Sequence, residues 1–124
     1  MVADDQYVNT QSMRFALTDL GVADRAVFFS NGQQLVEYAQ HLLDESLSQQ
    51  HSEPHNPIQP ISLVLLDVNM PILSGMETLV KLTEMFGDDD SNRILRPMIC
   101  YLSQYDGTSM KMFLKEDEFA DYYL

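Results

Sequence analysis

The sequence predicts a single α/β domain built around a parallel sheet. Three observations lead to this fold class: a branched apolar run over residues 61–67 that ends in a carboxylate, an amphipathic pattern over residues 76–86, and the repetition of this strand-then-helix alternation along the chain. Strands that alternate with helices of this length are typical of βαβ units, in which neighbouring strands run parallel. A chain of 124 residues also has the length of one domain.

The central strand and the helix after it have the clearest patterns. Residues 61–67 form a short apolar run of the kind that is buried on both faces of a sheet. Residues 68–75 contain proline and glycine, which predict a loop. A helix is expected over residues 76–86, with Gly87 as its end. Its apolar face consists of Leu79, Leu82 and Phe86.

The N-terminal third predicts a helix, a strand and a second helix. Apolar residues at approximate helical spacing mark the first helix over residues 7–20, and Gly21 closes it. Residues 26–30 are typical of a strand, and Asn31-Gly32 is expected to form a turn. The apolar positions assigned to the helices are Tyr7, Val8, Met13, Leu17 and Leu20 in the first and Leu35, Val36, Ala39, Leu42 and Leu43 in the second.

The C-terminal half continues the alternation after two interruptions. Residues 48–60 contain three prolines, and residues 87–96 contain an acidic run; both segments predict loops. Residues 97–103 form another apolar strand that ends in a polar residue. A helix over residues 108–116 and the start of a last strand over residues 120–124 are expected to follow.

The charge balance excludes some classes of partner. Seven basic residues against nineteen acidic ones give a net charge of −12, which disfavours direct contact with nucleic acid or an anionic membrane. Residues 1–5 lack the features of a signal peptide, and no segment approaches the length of a membrane span. The single cysteine, Cys100, excludes an intrachain disulfide framework. We therefore expect a cytoplasmic protein.

Acidic residues follow two of the predicted strands. The first strand ends at Asp4-Asp5 and the third ends at Asp67, while the fourth ends at Ser103. If the first and third strands are neighbours, three carboxylates meet at the carboxyl edge of the sheet, where ligands bind in open α/β folds. Two like charges about 5 Å apart repel by roughly 3 kcal/mol at an effective dielectric constant of about 20. Such a site favours a hard divalent cation, Mg²⁺ before the transition metals.

Each residue also has a simpler interpretation. Asp4 and Asp5 could cap the helix that follows them, and a single aspartate at a strand end is usually a turn or cap residue. Ser103 alone is unspecific. The convergence of all four residues at one edge favours phosphoryl chemistry, with an aspartate as nucleophile, a cation on the phosphoryl oxygens and a hydroxyl as a hydrogen-bond donor.

The segment from Leu65 to Glu77, which contains an Asp-x-x-Met-Pro-x-x-x-Gly string, resembles the phosphoacceptor region of response regulator receiver domains. The acidic pair, the stretch from Ser30 to Leu35, the stretch from Ile99 to Ser103 and residues 120–124 resemble other parts of the same family. The resemblance implies a flavodoxin-like doubly wound parallel sheet with strand order 2-1-3-4-5, over a single domain of residues 1–124.

The resemblance also implies roles for individual residues. Asp67 would accept a phosphoryl group from a histidine of a partner histidine kinase or histidine phosphotransfer protein. Asp5, Asp67 and the backbone carbonyl of Asn69 would hold Mg²⁺, with Asp4 acting through water. Further roles implied by the family are a phosphoryl contact for Ser103 and an aromatic switch for Tyr123.

The sequence also departs from the family pattern. The family's lysine would fall two positions after Leu124, the fifth helix and the end of the fifth strand are missing, and the first strand is short. We therefore expect a receiver truncated at both ends, from a hybrid histidine kinase or a multidomain regulator, with the cytoplasmic part of a membrane-bound hybrid kinase as one alternative. Ser74 replaces an aspartate found in many relatives.

Three functional hypotheses follow from these residues. The first is an Mg²⁺-dependent phosphorelay receiver that switches conformation and is not a metabolic enzyme. The second is a phosphorylation-independent interaction module, supported by the missing lysine. The third, a phosphatase with an aspartyl-phosphate intermediate, is disfavoured because Asn69 stands where such phosphatases of the haloacid-dehalogenase type carry an acid/base aspartate.

Overall fold

The described residues form a five-stranded sheet that organises the protein. The computed structural model describes residues 1–50, 61–87, 97–102 and 122–123, with only the backbone described for residues 49, 50, 122 and 123. All strand pairs are parallel, and the strand order is β2-β1-β3-β4-β5. This order confirms the predicted flavodoxin-like arrangement. The strands are β1 (Val2–Ala3), β2 (Phe28–Phe29), β3 (Leu63–Asp67), β4 (Met98–Leu102) and β5 (Tyr122–Tyr123).

Three α-helices accompany the sheet within the described residues. They are α1 (Tyr7–Asp19), α2 (Gly32–Gln50) and α3 (Gly75–Phe86), and a 3₁₀ turn covers Ala23–Arg25. The predicted helices at the start of the chain and after the central strand are confirmed to within one residue at each end. The helix predicted over residues 108–116, the loop over residues 88–96 and most of the loop over residues 48–60 lie outside the described residues.

The handedness of the connections explains which helix lies on which face. The chain moves in one direction across the sheet from β1 to β2, and in the other from β2 to β3 and from β3 to β4. Because crossover connections between parallel strands are right-handed, α2 and α3 lie on one face and α1 on the other. We call these the covered face and the α1 face.

The main hydrophobic core lies on the covered face. Alternate residues of the strands point towards it, and the inner sides of α2 and α3 complete it. All three predicted apolar positions of α3 are buried, and so are Leu35, Ala39 and Leu43 of α2. The other two positions predicted for α2, Val36 and Leu42, are half-buried. The buried cluster consists of Ala3, Leu35, Ala39, Leu43, Ile61, Val64, Leu66, Met70, Leu79, Leu82, Phe86, Ile99 and Tyr101.

The α1 face is packed less closely by the described residues. None of the thirteen residues of α1, all within the described part of the chain, is buried. Met13 and Leu17 are half-buried against the sheet, whereas Tyr7, Val8 and Leu20 are exposed by 72–76%. The predicted apolar face of this helix is therefore wrong at three of its five positions, because spacing alone did not distinguish the inner side from the outer one.

Three local expectations differ from the structure. Asn31 and Gly32 do not form a free turn: the side-chain oxygen of Asn31 accepts the backbone N–H of Gln34 at 2.9 Å, and α2 starts at Gly32. The second helix continues through Gln50, so residues 48–50 are helical and not a loop. The central strand is not fully buried, since Leu63 is 38% exposed.

Within the described ranges, no helix is both long and apolar enough to cross a lipid bilayer.

Candidate functional site

The three predicted carboxylates lie together at the carboxyl edge of the sheet. β1 pairs directly with β3, with Ala3 beside Leu66, so Asp4 and Asp5 follow β1 at the level where Asp67 ends β3. One side-chain oxygen of each aspartate lies within 4.8 Å of those of the other two. The condition on which the sequence-based argument depended, that the first and third strands are neighbours, is therefore met.

Asp4 is the most buried of the three carboxylates, with 5% of its surface exposed. Its Oδ1 accepts the backbone N–H of Gln6 at 2.8 Å, at the residue that precedes α1. Asp4 therefore has, with one of its oxygens, the turn role that the alternative interpretation predicted for it. One carboxylate can accept several hydrogen bonds or bind a cation with its other oxygen, so the two roles are compatible.

Asp67 is half-buried, and its environment disfavours the charged form. Burial, followed by the negative charge of Asp4 and then that of Asp5, raises the pKa of the Asp67 carboxyl above its ordinary value. Backbone N–H groups of Asn69 and Val68 act in the opposite direction, and the Asn69 N–H lies 3.4 Å from Oδ1 of Asp67. A raised pKa beside two other carboxylates indicates that this edge has more negative charge than its hydrogen bonds balance.

The N-terminus of α3 packs directly against the backbone of Asp67. Gly75 donates its N–H to the carbonyl oxygen of Val68 at 3.0 Å. A Cβ atom added at Gly75 would lie 2.3 Å from the carbonyl oxygen of Asp67 and 2.9 Å from Cα of Val68. Only glycine therefore fits between the first turn of α3 and the end of β3.

A capping box fixes the start of α3. The hydroxyl oxygen of Ser74 accepts the Glu77 N–H at 3.2 Å, and the Glu77 carboxylate accepts the Ser74 N–H at 2.9 Å. Hydrogen bonding to the Glu77 carboxyl, first by the backbone N–H of Ser74 and then by its side chain, lowers the pKa of that carboxyl. The serine that departs from the family pattern at this position thus has a structural role as the N-cap.

The loop between β3 and α3 contains an unfavourable backbone conformation. Ile72 has a φ of +67° in the left-handed region, although its side chain is β-branched. Its side chain is 77% exposed, and the next residue, Leu73, is buried. The N–H of Leu73 donates to the carbonyl oxygen of Pro71 at 2.7 Å, which closes a tight turn.

A cleft of about 760 Å³ opens beside the carboxylates. It runs from the acidic edge along the inner side of α1 towards the end of β4. Its volume lies in the range of small-molecule sites. The residues that line it are Val2, Asp4, Asp5, Gln6, Asn9, Ser12, Met13, Ala16, Asp67, Val68, Asn69 and Leu102.

The donor atoms at this edge fit a hard divalent cation. Three carboxylate oxygens converge, and no histidine or cysteine belongs to the cluster among the described residues. Oxygen-only donors of this kind suit Mg²⁺ or Ca²⁺ better than transition metals. A bound cation would also offset the mutual repulsion that raises the pKa of Asp67.

The other predicted site residues are placed only in part. Asn69 is exposed on the rim of the same cleft, and its role as a carbonyl ligand stays a prediction. Ser103 lies outside the described residues, directly after Leu102, which pairs with Asp67 in the sheet. Tyr123 belongs to β5, where its backbone pairs with Tyr101, and its switch role is likewise untested.

Two features near the site were not predicted from the sequence. Tyr101 directs a buried hydroxyl to the first turn of α3. Thr78 is fully buried against the start of α2, where a Cβ atom at Gly32 would lie 1.8 Å from its hydroxyl oxygen. The only sequence signal was the presence of a polar atom in an otherwise apolar strand or helix face, which does not identify its partner.

The sequence matches no family model and no curated protein. Solved structures with a similar fold, however, are receiver domains. A variant of the receiver domain of the histidine kinase CKI1 from Arabidopsis thaliana is 18% identical, with a TM-score of 0.74. The same domain complexed with Mg²⁺ and BeF₃⁻ is 19% identical, with a TM-score of 0.72.

A bacterial structure agrees with the plant ones. The REC domain of AraT, a response regulator from Geobacillus stearothermophilus, is 17% identical, with a TM-score of 0.61. All three matches cover 99% of this chain and 76% of the other chain. The predicted strand order and the similarity over nearly the whole chain lead to one conclusion: the protein has the fold of response regulator receiver domains.

Proposed function

We propose that this protein is a phosphorelay receiver in which Asp67 accepts a phosphoryl group from a phosphohistidine. The observation that carries the proposal is the convergence of Asp4, Asp5 and Asp67 at the carboxyl edge of a receiver fold. The partner is a histidine kinase or a histidine phosphotransfer protein of the cytoplasm, and the domain itself contacts neither nucleic acid nor membrane. Its parent chain is a hybrid histidine kinase or a multidomain regulator.

The transfer is a displacement at phosphorus. A carboxylate oxygen of Asp67 attacks the phosphorus atom and forms a P–O bond, the P–N bond to the histidine breaks, and the released imidazole nitrogen takes up a proton. Asp67 is suited to this role because its carboxylate lies half-exposed at the cleft, within reach of an incoming side chain.

The residues around Asp67 would bind the cation and the negatively charged phosphoryl oxygens. Asp5, Asp67 and the carbonyl of Asn69 would bind Mg²⁺, with Asp4 contributing through a water molecule. When bound, the ion supplies positive charge to the phosphoryl oxygens. Ser103 would donate its hydroxyl to one of these oxygens; the support for this role is that in the sequence it follows Leu102, the β4 residue that pairs with Asp67. Phosphorylation then shifts the population between two arrangements, with Tyr123 as the proposed switch residue.

The test is the intact mass of the protein after incubation with phosphoramidate, a small donor with a P–N bond, with and without Mg²⁺. We expect one phosphoryl group to be added only when Mg²⁺ is present, and hydroxylamine to remove it, as it does from acyl phosphates but not from serine phosphate. Asp67→Asn should abolish the addition, whereas Asp44→Asn, which alters an exposed aspartate on α2, should leave it unchanged.

Other outcomes of this experiment contradict the proposal. Equal phosphorylation of Asp67→Asn and wild type would show that Asp67 is not the acceptor. A folded wild type that is never modified would support the alternative, a phosphorylation-independent interaction module. Continuous release of phosphate from varied phosphate esters would instead indicate a phosphatase.

A further inference from the structure

Tyr101 carries a polar atom into the centre of the covered face. The residue lies in β4 and is fully buried. Its hydroxyl is 3.3 Å from the carbonyl oxygen of Gly75 and 3.1 Å from Sδ of Met76. A phenylalanine would fill the same space without the cost of burying a hydroxyl, so the function of the oxygen lies in these contacts.

Both contacts are made to the first turn of α3. This turn is also the part of the helix that touches Asp67, because Gly75 lies against the Asp67 carbonyl and bonds to Val68. Gly75 therefore separates the Tyr101 hydroxyl from the backbone of Asp67. Any movement of α3 away from β4 changes the space available to the end of β3.

We infer that Tyr101 is a positioning residue whose hydroxyl, through Gly75, fixes the orientation of the Asp67 carboxylate towards Asp4 and Asp5. The inference rests on the proposed function, because cation binding and phosphoryl transfer are the processes that require these carboxylates to be aligned. Tyr101 itself touches no reacting atom. Its effect is transmitted by a buried hydrogen bond and a close backbone contact, both of which tolerate little displacement.

The experiment compares Tyr101→Phe with Tyr38→Phe. The control removes the same hydroxyl from a half-buried tyrosine of α2, whose ring packs on Phe29. Mg²⁺ affinity is measured by titration calorimetry at a temperature at which circular dichroism shows both variants fully folded. We expect Tyr101→Phe to weaken Mg²⁺ binding roughly tenfold, the lower end of the effect of residues that support metal ligands. Tyr38→Phe should not change it.

A second readout does not depend on the metal. The Asn69 N–H donates to Oδ1 of Asp67, so its hydrogen-exchange rate and chemical shift, measured by NMR without Mg²⁺, report the position of that carboxylate. Both should change in Tyr101→Phe and not in Tyr38→Phe. A third variant, Met76→Leu, removes the sulfur acceptor but leaves the Gly75 carbonyl, and we expect it to behave like wild type in both measurements.

The outcomes separate the inference from the proposed function. If Tyr101→Phe only unfolds at lower temperature, with unchanged Mg²⁺ affinity and an unchanged Asn69 amide, its role is purely structural and the inference is wrong. If Met76→Leu reproduces the full effect, the hydroxyl acts on Met76 and the route through Gly75 is wrong. If wild type binds no Mg²⁺ and accepts no phosphoryl group, the proposed function fails, while the Asn69 amide still decides whether Tyr101 positions Asp67.

Discussion

The two faces of the sheet differ in how tightly the described helices are held against them. On the covered face, α2 and α3 share a continuous buried cluster with alternate residues of β1, β3 and β4. On the α1 face, the helix has no buried residue among the described ones and makes only partial contact through Met13 and Leu17. The acidic edge lies where these two unequal halves meet.

Because of this difference, the three aspartates are not held in place equally firmly. Asp67 is held from the covered face by Gly75 and the first turn of α3. Asp4 and Asp5 lead into α1, the more loosely packed helix. A cation bound by all three would therefore connect the weakly packed half of the site to the firmly packed one, which makes the comparison testable by mutation and by metal addition.

The largest difference is expected between matched leucines on the two faces. Leu82→Ala removes a fully buried side chain of α3, and we expect the free energy of unfolding to fall by about 3 kcal/mol through lost burial and the resulting cavity. Leu17→Ala on α1 should lower it by only about 1 kcal/mol, because that side chain is half-buried. Urea denaturation followed by circular dichroism gives both values. Equal losses would show that α1 is packed as firmly as α3.

Addition of Mg²⁺ should strengthen the α1 face selectively. At a concentration about a hundred times the dissociation constant, a ligand that binds only the folded state adds about 2.7 kcal/mol to its stability. Hydrogen exchange should slow more in β1 and the first turn of α1 than in the middle of α3, whose core is already closed. Asp5→Ala should remove most of this effect. Uniform protection of both helices would contradict the proposed difference between the faces.

The glycines at the two helix ends provide a third comparison. Gly75→Ala places a Cβ 2.3 Å from the Asp67 carbonyl, so we expect a loss of about 2 kcal/mol and weaker Mg²⁺ binding as the end of β3 is displaced. Gly21→Ala after α1 meets no atom within 4 Å. Its cost should be about 1 kcal/mol, from its φ of +72° alone, with unchanged Mg²⁺ affinity. Thermal unfolding and calorimetry distinguish the two effects.

What the sequence predicted well were features set by local pattern. The apolar run of β3, the helical period of α3 and the position of Asp67 at a strand end follow from residues close together in the chain. The meeting of Asp67 with Asp4 and Asp5 needed one further assumption, the adjacency of β1 and β3, which the topology of parallel α/β sheets favours.

The remaining features depend on contacts between distant segments. The acceptors of the Tyr101 hydroxyl are 25 and 26 residues away, and no local pattern identifies them. Val8 and Leu20 were assigned to the apolar face of the first helix but are exposed, because periodicity defines a helix and not the surface against which it packs. The left-handed conformation of Ile72 contradicts the preference of a β-branched residue and is imposed by the turn it occupies.

Removing the charge of Asp67 tests whether repulsion among the three carboxylates lowers the stability of the protein. Its carboxyl has a raised pKa in the folded state, so it contributes stability that is present at low pH and is lost as the pH rises through that raised pKa. Without Mg²⁺, Asp67→Asn should therefore be more stable than wild type at pH 7, by a small margin because solvent screens a half-exposed carboxylate.

The pH dependence of the stability difference between Asp67→Asn and wild type tests whether the Asp67 charge is destabilising. The advantage of Asp67→Asn should vanish below the ordinary carboxyl pKa of 3.8, where wild type is protonated in both states. Saturating Mg²⁺ should reverse the order at pH 7, because only wild type keeps the full ligand set. Asp44→Asn serves as the control with an exposed carboxylate. A variant less stable than wild type at pH 7 without Mg²⁺ would show that the three charges are already compensated.

Ile72 supplies the smallest expected effect and a stabilising one. Asparagine adopts the left-handed region more readily than a β-branched residue, and little packing is lost because the Ile72 side chain is 77% exposed. Ile72→Asn should therefore raise the free energy of unfolding by about 0.5 kcal/mol. The control is Val80→Asn, at an exposed apolar position of α3 with helical geometry. It should lower the free energy of unfolding slightly, because valine and asparagine have similar helix propensities and only the apolar contacts of the valine side chain are lost. If Ile72→Asn is destabilising, contacts of the isoleucine side chain with the covered face stabilise this loop. The packing of that side chain would then outweigh the cost of its left-handed backbone conformation in the tight turn before α3.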